Sequence, residues 1–399
     1  MKVPTQKHLQ WRMLAVSPGF ARDTPYLSGR EMTDQDVIVV GAGLAGLTCA
    51  RRLHHAGYQV SLLEKSRGVG GRLATRRLDG MPLDHGARYL TVASPRWQWL
   101  IDRWLAEQLI VPWRPQSYGL GAGRTLRDRP LTAMLYAAPA GMNAVGKELA
   151  EGLMIHHHQR VINLSTSSDP RWTITTQRAA DQTTGQFRAK AIVMALPAPQ
   201  IVPMLSSLGT WAPIKTVTKA LETVSYAPMI TVMAQYANAL TQPADPLPCA
   251  AAAPWMVEGQ ADTALFWVGL DSSKRSLDRI NVVIHSSAAF ARDWLEATDL
   301  QPAGEALLAH ASQRVADWLA RPHHWQVHRW RYAFVERPCE QPMPMATTPL
   351  PLITCGDWCG KAHLDSALEA GWRAAATLHN AMGGADLPEF PHGLLAAVD

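Results

Sequence analysis

The sequence carries no long block of basic residues. Its 38 Lys+Arg against 33 Asp+Glu leave a net charge of +5, spread along the chain. That distribution offers no basic stripe for nucleic acid, yet it suits small anionic ligands such as nucleotides. Cysteine is scarce: Cys49, Cys249, Cys339, Cys355 and Cys359 are an odd number with no disulfide-framework spacing. A reducing, cytoplasmic setting is therefore expected. No apolar run reaches membrane-spanning length, so no integral membrane segment is expected. The first thirty-odd residues show no apolar core of a secretion signal. Met32-Thr33-Asp34-Gln35 reads like a natural start, and residues 1–33 are expected to be a disordered or non-native extension. Neither a Gly-x-Ser-x-Gly elbow nor a zinc motif occurs. His156-His157-His158 would alternate faces on a strand without a nearby Cys or carboxylate, so no metal is expected. Cys355-x-x-x-Cys359 is not spaced as a redox pair.

What is present points to two domains around one ligand. The chain has 399 residues, 47% of them hydrophobic, enough for sizeable cores. Residues 36–40 read as a β-branched strand, 44–56 as a helix ended by Gly57, and 59–64 as a second strand. This β-α-β unit implies a parallel sheet. Helices are expected at 96–109 and at 143–153, the latter with Asn143 as N-cap. Short strands near 160–164, 172–176 and 187–190 read as a small antiparallel meander. The apolar run Ala191–Pro197 reads as a strand buried on both faces, after which Pro197 and Pro199 break the chain. Residues 226–332 are mostly strand-like, interrupted by helices at 288–296 and 305–319. A strand and turn at 351–360 precede a helix at 364–380. The expected fold is α/β: a Rossmann-like domain (parallel sheet plus meander), which the resemblance given below makes FAD-binding, with an inserted α+β substrate domain on an antiparallel sheet. The first is assigned 34–90, 131–200 and 340–399, the second 91–130 and 201–339.

Gly41-x-Gly43-x-x-Gly46 lies between the first strand and the first helix, where a dinucleotide fingerprint belongs. Gly41 permits the tight turn, Gly43 lets backbone approach a pyrophosphate, and Gly46 lets helix and strand pack closely. The helix N-terminus offers free N–H groups to phosphate. Glu64 ends the second strand, where a carboxylate accepts ribose hydroxyls and repels a 2′-phosphate. Lys65, Gly70-Gly71-Arg72 and Arg76 continue the loop and would bracket a pyrophosphate from the other side.

This stretch resembles the FAD-binding motif of the monoamine oxidase and phytoene desaturase superfamily, with the usual leading arginine displaced to Arg67. "CGDW" followed by "HLDSALEAGWRAAATL" is similar to that family's closing motif. The resemblance implies that Gly356 and Asp357 contact the ribityl and pyrophosphate region. It also implies that the backbone near Leu364 and Asp365 faces the flavin pyrimidine ring, where a helix dipole favours the anionic reduced flavin. Arg160-Val161 resembles the place where backbone touches adenine. No cysteine stands where monoamine oxidases attach flavin, so FAD is expected to bind non-covalently. A narrower likeness runs through "DHGARYLT", "YAAPAGMNAVGKELAEG", "VMALPAPQIVPML", "LETVSYAP", "GLDSSKR", "NVVIHSSAAFARDWLE" and "HRWRYAF", in the order seen in renalases.

The renalase resemblance implies oxidation of the 2- and 6-dihydro isomers of NAD(P), with the hydride taken at flavin N5 and dioxygen reduced to hydrogen peroxide, a metabolite-repair activity. The expected partners are a reduced nicotinamide and dioxygen. A dihydropyridine is already a hydride donor and needs stacking at about 3–3.5 Å rather than a strong base. Three residues are the candidates for that site. Tyr89 follows the Gly86-Ala87-Arg88 turn, which resembles the family's flavin-contacting turn. Trp267 lies on "ALFWVGL". His285 ends "NVVIH", corresponds to the histidine renalases place above the flavin, and is expected to orient substrate rather than remove a proton. The competing readings are an amine oxidase or other flavin desaturase, and a flavin-binding scaffold without turnover. Amine oxidation calls for an aromatic cage, and residues 351–355 hold no aromatic.

Overall fold

The strand Asp34–Val40 is the centre of the first sheet because its last four residues are apolar and buried on both faces. In this computed structural model, residues 34–387 are described apart from 167, 207, 210, 238–246, 248–252, 260–262, 276–278, 342 and 361–363. The expectations for residues 1–33 and Cys249 lie outside the described residues. Val60–Leu63 pairs parallel to the central strand on one side, with Met154–His156 beyond it. Thr184–Met194 pairs parallel on the other. The two strands expected at 187–190 and 191–197 are one, because no turn residue separates them. Its first half closes the meander with Trp172–Gln177 and Arg160–Thr166, and its second half pairs parallel with Leu352–Thr354.

Helices cover both faces of this sheet. On one face Leu44–His55 crosses the closing helix Leu364–Ala381, packing Leu47, Cys49 and Leu53 with Trp372, Ala375 and Leu378. Gly371 makes the crossing possible, since a Cβ there would stand 2.1 Å from the Ala45 carbonyl oxygen. Helix Gln98–Ala106 buries Leu100, Ile101 and Trp104 in the same core. On the other face lie Ala198–Ser206 and Ala212–Glu222, which bury Ile201, Leu205, Ile214, Val217 and Leu221. These two helices were not expected, because Pro197 and Pro199 read as a break in the chain. Pro199 and Pro213 in fact sit in first turns, where a missing N–H costs nothing, and Pro203 lies inside the first helix. Residues 98–106 and 198–222 thus share cores with the parallel sheet, whereas 91–130 and 201–339 were assigned to the substrate domain. Asn143 also departs from expectation. The helix Asn143–Ala150 has no side-chain cap of its own; Asp84 and Thr75 accept from the Met142 and Asn143 N–H groups.

The second sheet runs in the order His324–Arg337, Ser225–Tyr236, Ile280–Ser286, Leu265–Leu270, Trp255–Glu258, Gln116–Leu120 and Leu126–Asp128. It is antiparallel except where Trp255–Glu258 meets Gln116–Leu120. Strand alternation splits its side chains cleanly. Ile230, Val232, Ala234, Val282 and Ile284 pack against Leu307 and Ala311 of the helix Gln301–Arg314. Met233, Val283 and Trp267 face the opposite way, onto Leu78 and Leu83 of the hairpin Thr75–Leu78/Met81–Asp84. That hairpin covers this face of the second sheet, and the turn after it, residues 85–89, continues along it.

Candidate active site

The first glycine turn is built by exclusion. Gly41 has φ +101°, and a Cβ there would lie 2.6 Å from the Ala195 carbonyl oxygen; at Gly46 it would lie 2.0 Å from the Gly41 oxygen. Gly43 differs: a Cβ on it would meet nothing within 4 Å. It is the N-cap of Leu44–His55, with no side-chain cap and no acidic residue in the first turn. The free N–H groups and their partial positive charge therefore front open space, as an anion site requires. The second glycine pair folds onto this turn. Gly70 N–H donates to the Ala42 carbonyl at 2.8 Å, and Gly71 (φ +56°) brings its Cβ direction within 3.3 Å of the Gly43 Cα.

At one end of the turn a cavity of about 530 Å³ is lined by Gly41, Glu64, Lys65, Arg160 and Val161. Glu64 is held rigid there, accepting from the Ala42 N–H at 2.9 Å and the Ser66 N–H at 2.8 Å. Lys65 is exposed and donates to Gln200 Oε1 at 3.3 Å. The structure thus brings Glu64, Lys65 and Val161 together around one space, with the glycine turn as its floor.

Arg72 and Asp357, from opposite ends of the sequence, form a bidentate pair at 2.7 Å for both bonds. Such a fork fixes orientation as well as charge. Tyr226 donates to Asp357 at 3.0 Å, and burial together with that carboxylate pushes its phenol well above the usual range. Arg72 was expected to bracket a phosphate directly; here its guanidinium locks Asp357, next to Gly356, against the second glycine pair. Leu364 starts the closing helix as expected. The Asp365 carboxylate accepts from the Ala93 and Ser94 N–H groups at 2.8 and 2.9 Å, tying the helix start to that loop.

The turn after the hairpin lies against the inner face of the second sheet. Gly86 is pinned, since a Cβ would stand 2.1 Å from the Arg72 carbonyl oxygen and 3.3 Å from Trp330; the Ala87 N–H donates to that same oxygen. The register places Trp267, His285, Thr231 and His328 in one row across four neighbouring strands. Trp267 and His285 are fully buried, with ring centroids 5.5 Å apart. The His285 ring makes no hydrogen bond to a side chain among the described residues, and its polar neighbour is the His85 backbone; Trp267 Nε1, Thr231 Oγ1 and His85 Nδ1 are buried without a partner there. Buried polar groups without partners are costly, so this row is a candidate wall to receive a ligand's polar groups. Tyr89 borders it, 6.1 Å from Trp113.

The histidines of this wall are neutral. Burial, then the charges of Arg88 and Lys274, push His285 well below its ordinary value. Burial, then His328 and Arg76, bring His85 to about 3; burial, then Arg76 and Arg329, bring His328 to about 4. The unfolded chain binds protons at these two positions as pH falls through about 6.5, while the folded chain does not. Stability is therefore complete above about 6.5 and is lost progressively towards 3. Melting temperature is expected to fall between pH 7 and 5, where carboxylates hardly titrate, and His328→Asn is expected to flatten that slope. A level profile in the parent protein would contradict this account.

The sequence did not single out His85, Thr231, His328 and Trp330, which the structure places beside Trp267 and His285, and it offered Arg88 only within the Gly86-Ala87-Arg88 turn. The H-x-W spacing at 328 and 330 was the available signal, since alternate strand residues share a face.

Fold and site define a protein with a Rossmann-like dinucleotide turn and a second, mostly antiparallel sheet. Comparison with known proteins agrees. An NAD(P)-binding Rossmann-like domain is matched over residues 39–104 and a flavin containing amine oxidoreductase over 113–379. The second match covers well over half of the chain, which therefore belongs to the flavin-containing amine oxidoreductase family: an FAD-dependent oxidoreductase. Among curated relatives, the chain is 39% identical to polyamine oxidase 5 of Oryza sativa subsp. japonica over 77 residues, 18% of this chain and 16% of that one. It is 46% identical to the zeta-carotene-forming phytoene desaturase of Myxococcus xanthus over 50 residues, 12% and 10% of the two chains. The matched segments are thus a small part of those relatives' length. The fold is shared with putrescine oxidase bound to putrescine (TM-score 0.65, 16% identity, 88% of this chain and 100% of that one). It is also shared with cyclohexylamine oxidase from Brevibacterium oxydans IH-35A (TM-score 0.63, 14% identity, the same coverage). No helix among the described residues is long and apolar enough to cross a membrane.

Proposed function

We propose that the protein is a renalase-like oxidase of 2- and 6-dihydro isomers of NAD(P). One observation supports the reading: a neutral, fully buried imidazole stands beside an indole, with no carboxylate in that row. His285, held neutral, is a poor base and a good hydrogen-bond partner for a carboxamide. Trp267 supplies a flat apolar surface, and Tyr89 closes one side. These groups orient a flat donor and move no proton, which matches a substrate that already carries its hydride. FAD, when bound, would supply the hydride acceptor and the route for the electrons to dioxygen.

Residues of the chain fit that cofactor. Gly43 and the uncapped helix start would take its pyrophosphate, Glu64 its adenosine ribose, and Val161 its adenine. Asp357, fixed by Arg72, would take the ribityl chain, and the backbone at Gly86, Ala87, Leu364 and Asp365 the ring. Binding is non-covalent in this reading. Cys49 and Cys359 are held as thiols, pushed by burial up to about 12, and burial pushes Cys355 up as well.

Anaerobic mixing of the FAD-loaded protein with the 6-dihydro isomer of NAD is expected to bleach the flavin roughly a hundredfold or more faster than an equal concentration of putrescine. Bleaching by amines alone would establish amine oxidation instead, the reading that family membership favours. Bleaching by neither would leave a flavin-binding protein without this turnover.

A further inference from the structure

Arg88 stands beside this wall with its charge unanswered. Among the described residues its guanidinium makes no hydrogen bond and no ion pair. It is surrounded instead by rings: Cζ lies 5.1 Å from the Tyr89 centroid, 4.8 Å from Phe266 and 5.7 Å from Trp267. Rings attract a cation through their faces but offer no acceptor. Its five N–H donors have no partner among the described residues and remain open to a ligand. Arginine's planar fork matches one class of partner best, the oxyanion of a phosphate or carboxylate.

The same arrangement bears on what is refused. Three aromatic faces around a cation form the cage that recognises alkylammonium groups. Here the chain's own guanidinium holds that position. A second cation a few ångströms away would meet like-charge repulsion.

We propose that Arg88 sets the charge selectivity of the site, binding the oxyanion of a flat substrate and excluding ammonium compounds. The inference rests on the reading that the Trp267–His285 face receives substrate. It deepens that reading by making an anionic group the handle, whether a nucleotide phosphate or a ring carboxylate.

The test is titration of the FAD-loaded protein, followed by perturbation of the flavin spectrum, with four unreactive or slowly reacting probes. Nicotinamide mononucleotide carries a phosphate, nicotinate a carboxylate, N-methylnicotinamide neither, and putrescine two ammonium groups. The parent protein is expected to bind one of the two anions at least tenfold more tightly than N-methylnicotinamide, and the stronger of them names the handle. Arg88→Gln should weaken that anion about ten- to hundredfold, the range of a charge-assisted hydrogen bond. Arg88→Lys should recover part of the loss, and the same Gln variant should shift N-methylnicotinamide at least tenfold less. Unchanged flavin content and circular dichroism show that the variants fold. Equal weakening of all probes, or an anion that binds no better than N-methylnicotinamide, overturns the proposal. Arg88-dependent anion binding without turnover of dihydronicotinamides would sink the proposed activity and leave this inference standing. Turnover with Arg88-independent binding would do the reverse.

Discussion

Asp84→Asn is expected to cost about 3–5 kcal/mol of stability, the range for breaking a buried ion pair from one side. Asp84 belongs to a four-charge cluster with Asp271, Lys274 and Arg275, all buried, with side-chain exposures of 0–2%. Its Oδ2 faces Lys274 Nζ at 3.4 Å and pairs with Arg275; Asp271 holds Lys274 at 2.6 Å and Arg275 at 2.7 Å. Burial by itself would raise the Asp84 carboxyl, but Lys274 and Arg275 outweigh it and hold it below the usual range. Neutralising it leaves two cations against one anion in a dry interior. Asp84 Oδ1 also accepts from Thr75 Oγ1 at 2.7 Å and from the Met142 N–H at 2.9 Å, so the hairpin and the helix Asn143–Ala150 loosen together. Urea unfolding should show a lower midpoint at unchanged slope. Adding Lys274→Met restores the charge balance and should return part of the loss, measured as a double-mutant coupling. A cost under about 1 kcal/mol for Asp84→Asn would mean that water reaches the cluster.

The second large effect separates two glycines of one turn. Gly46→Ala would place a methyl 2.0 Å from the Gly41 carbonyl oxygen and 3.1 Å from the Ala195 Cβ. Those neighbours are backbone and a short side chain, which cannot swing aside. The helix must lift off the strand, so both melting temperature and FAD content are expected to fall, with an overpacking cost of about 1–3 kcal/mol or more. Gly43→Ala should behave differently. Its φ of −77° suits an alanine, and its Cβ would meet nothing within 4 Å. The apoprotein should melt as the parent does, while FAD affinity drops at least tenfold because the methyl occupies the phosphate's approach. Normal FAD binding by Gly43→Ala would remove this turn from the pyrophosphate site.

The glycine turn was legible without coordinates for a physical reason. Its glycines, strand, helix and Glu64 all lie within thirty residues, where local geometry decides the arrangement. The buried run Ala191–Met194 and the closing helix were legible on similar grounds, from an unbroken apolar strand and a helical period. The helices Ala198–Ser206 and Ala212–Glu222 were not, because a proline in a first turn and one between elements look alike along the chain.

By itself, then, the sequence determined the dinucleotide turn, the parallel sheet around it and the aromatic and histidine residues available for a site. Only the tertiary structure decided which of them meet. Arg72 finds Asp357 across 285 positions, and Asp84 finds Lys274 across 190. His285 and Trp267 share a row because two strands pair in one register rather than the next, and a slip of one residue would turn them to opposite faces. Such contacts depend on sheet register and on how closely glycines let segments approach. Neither quantity is carried by any one stretch of chain.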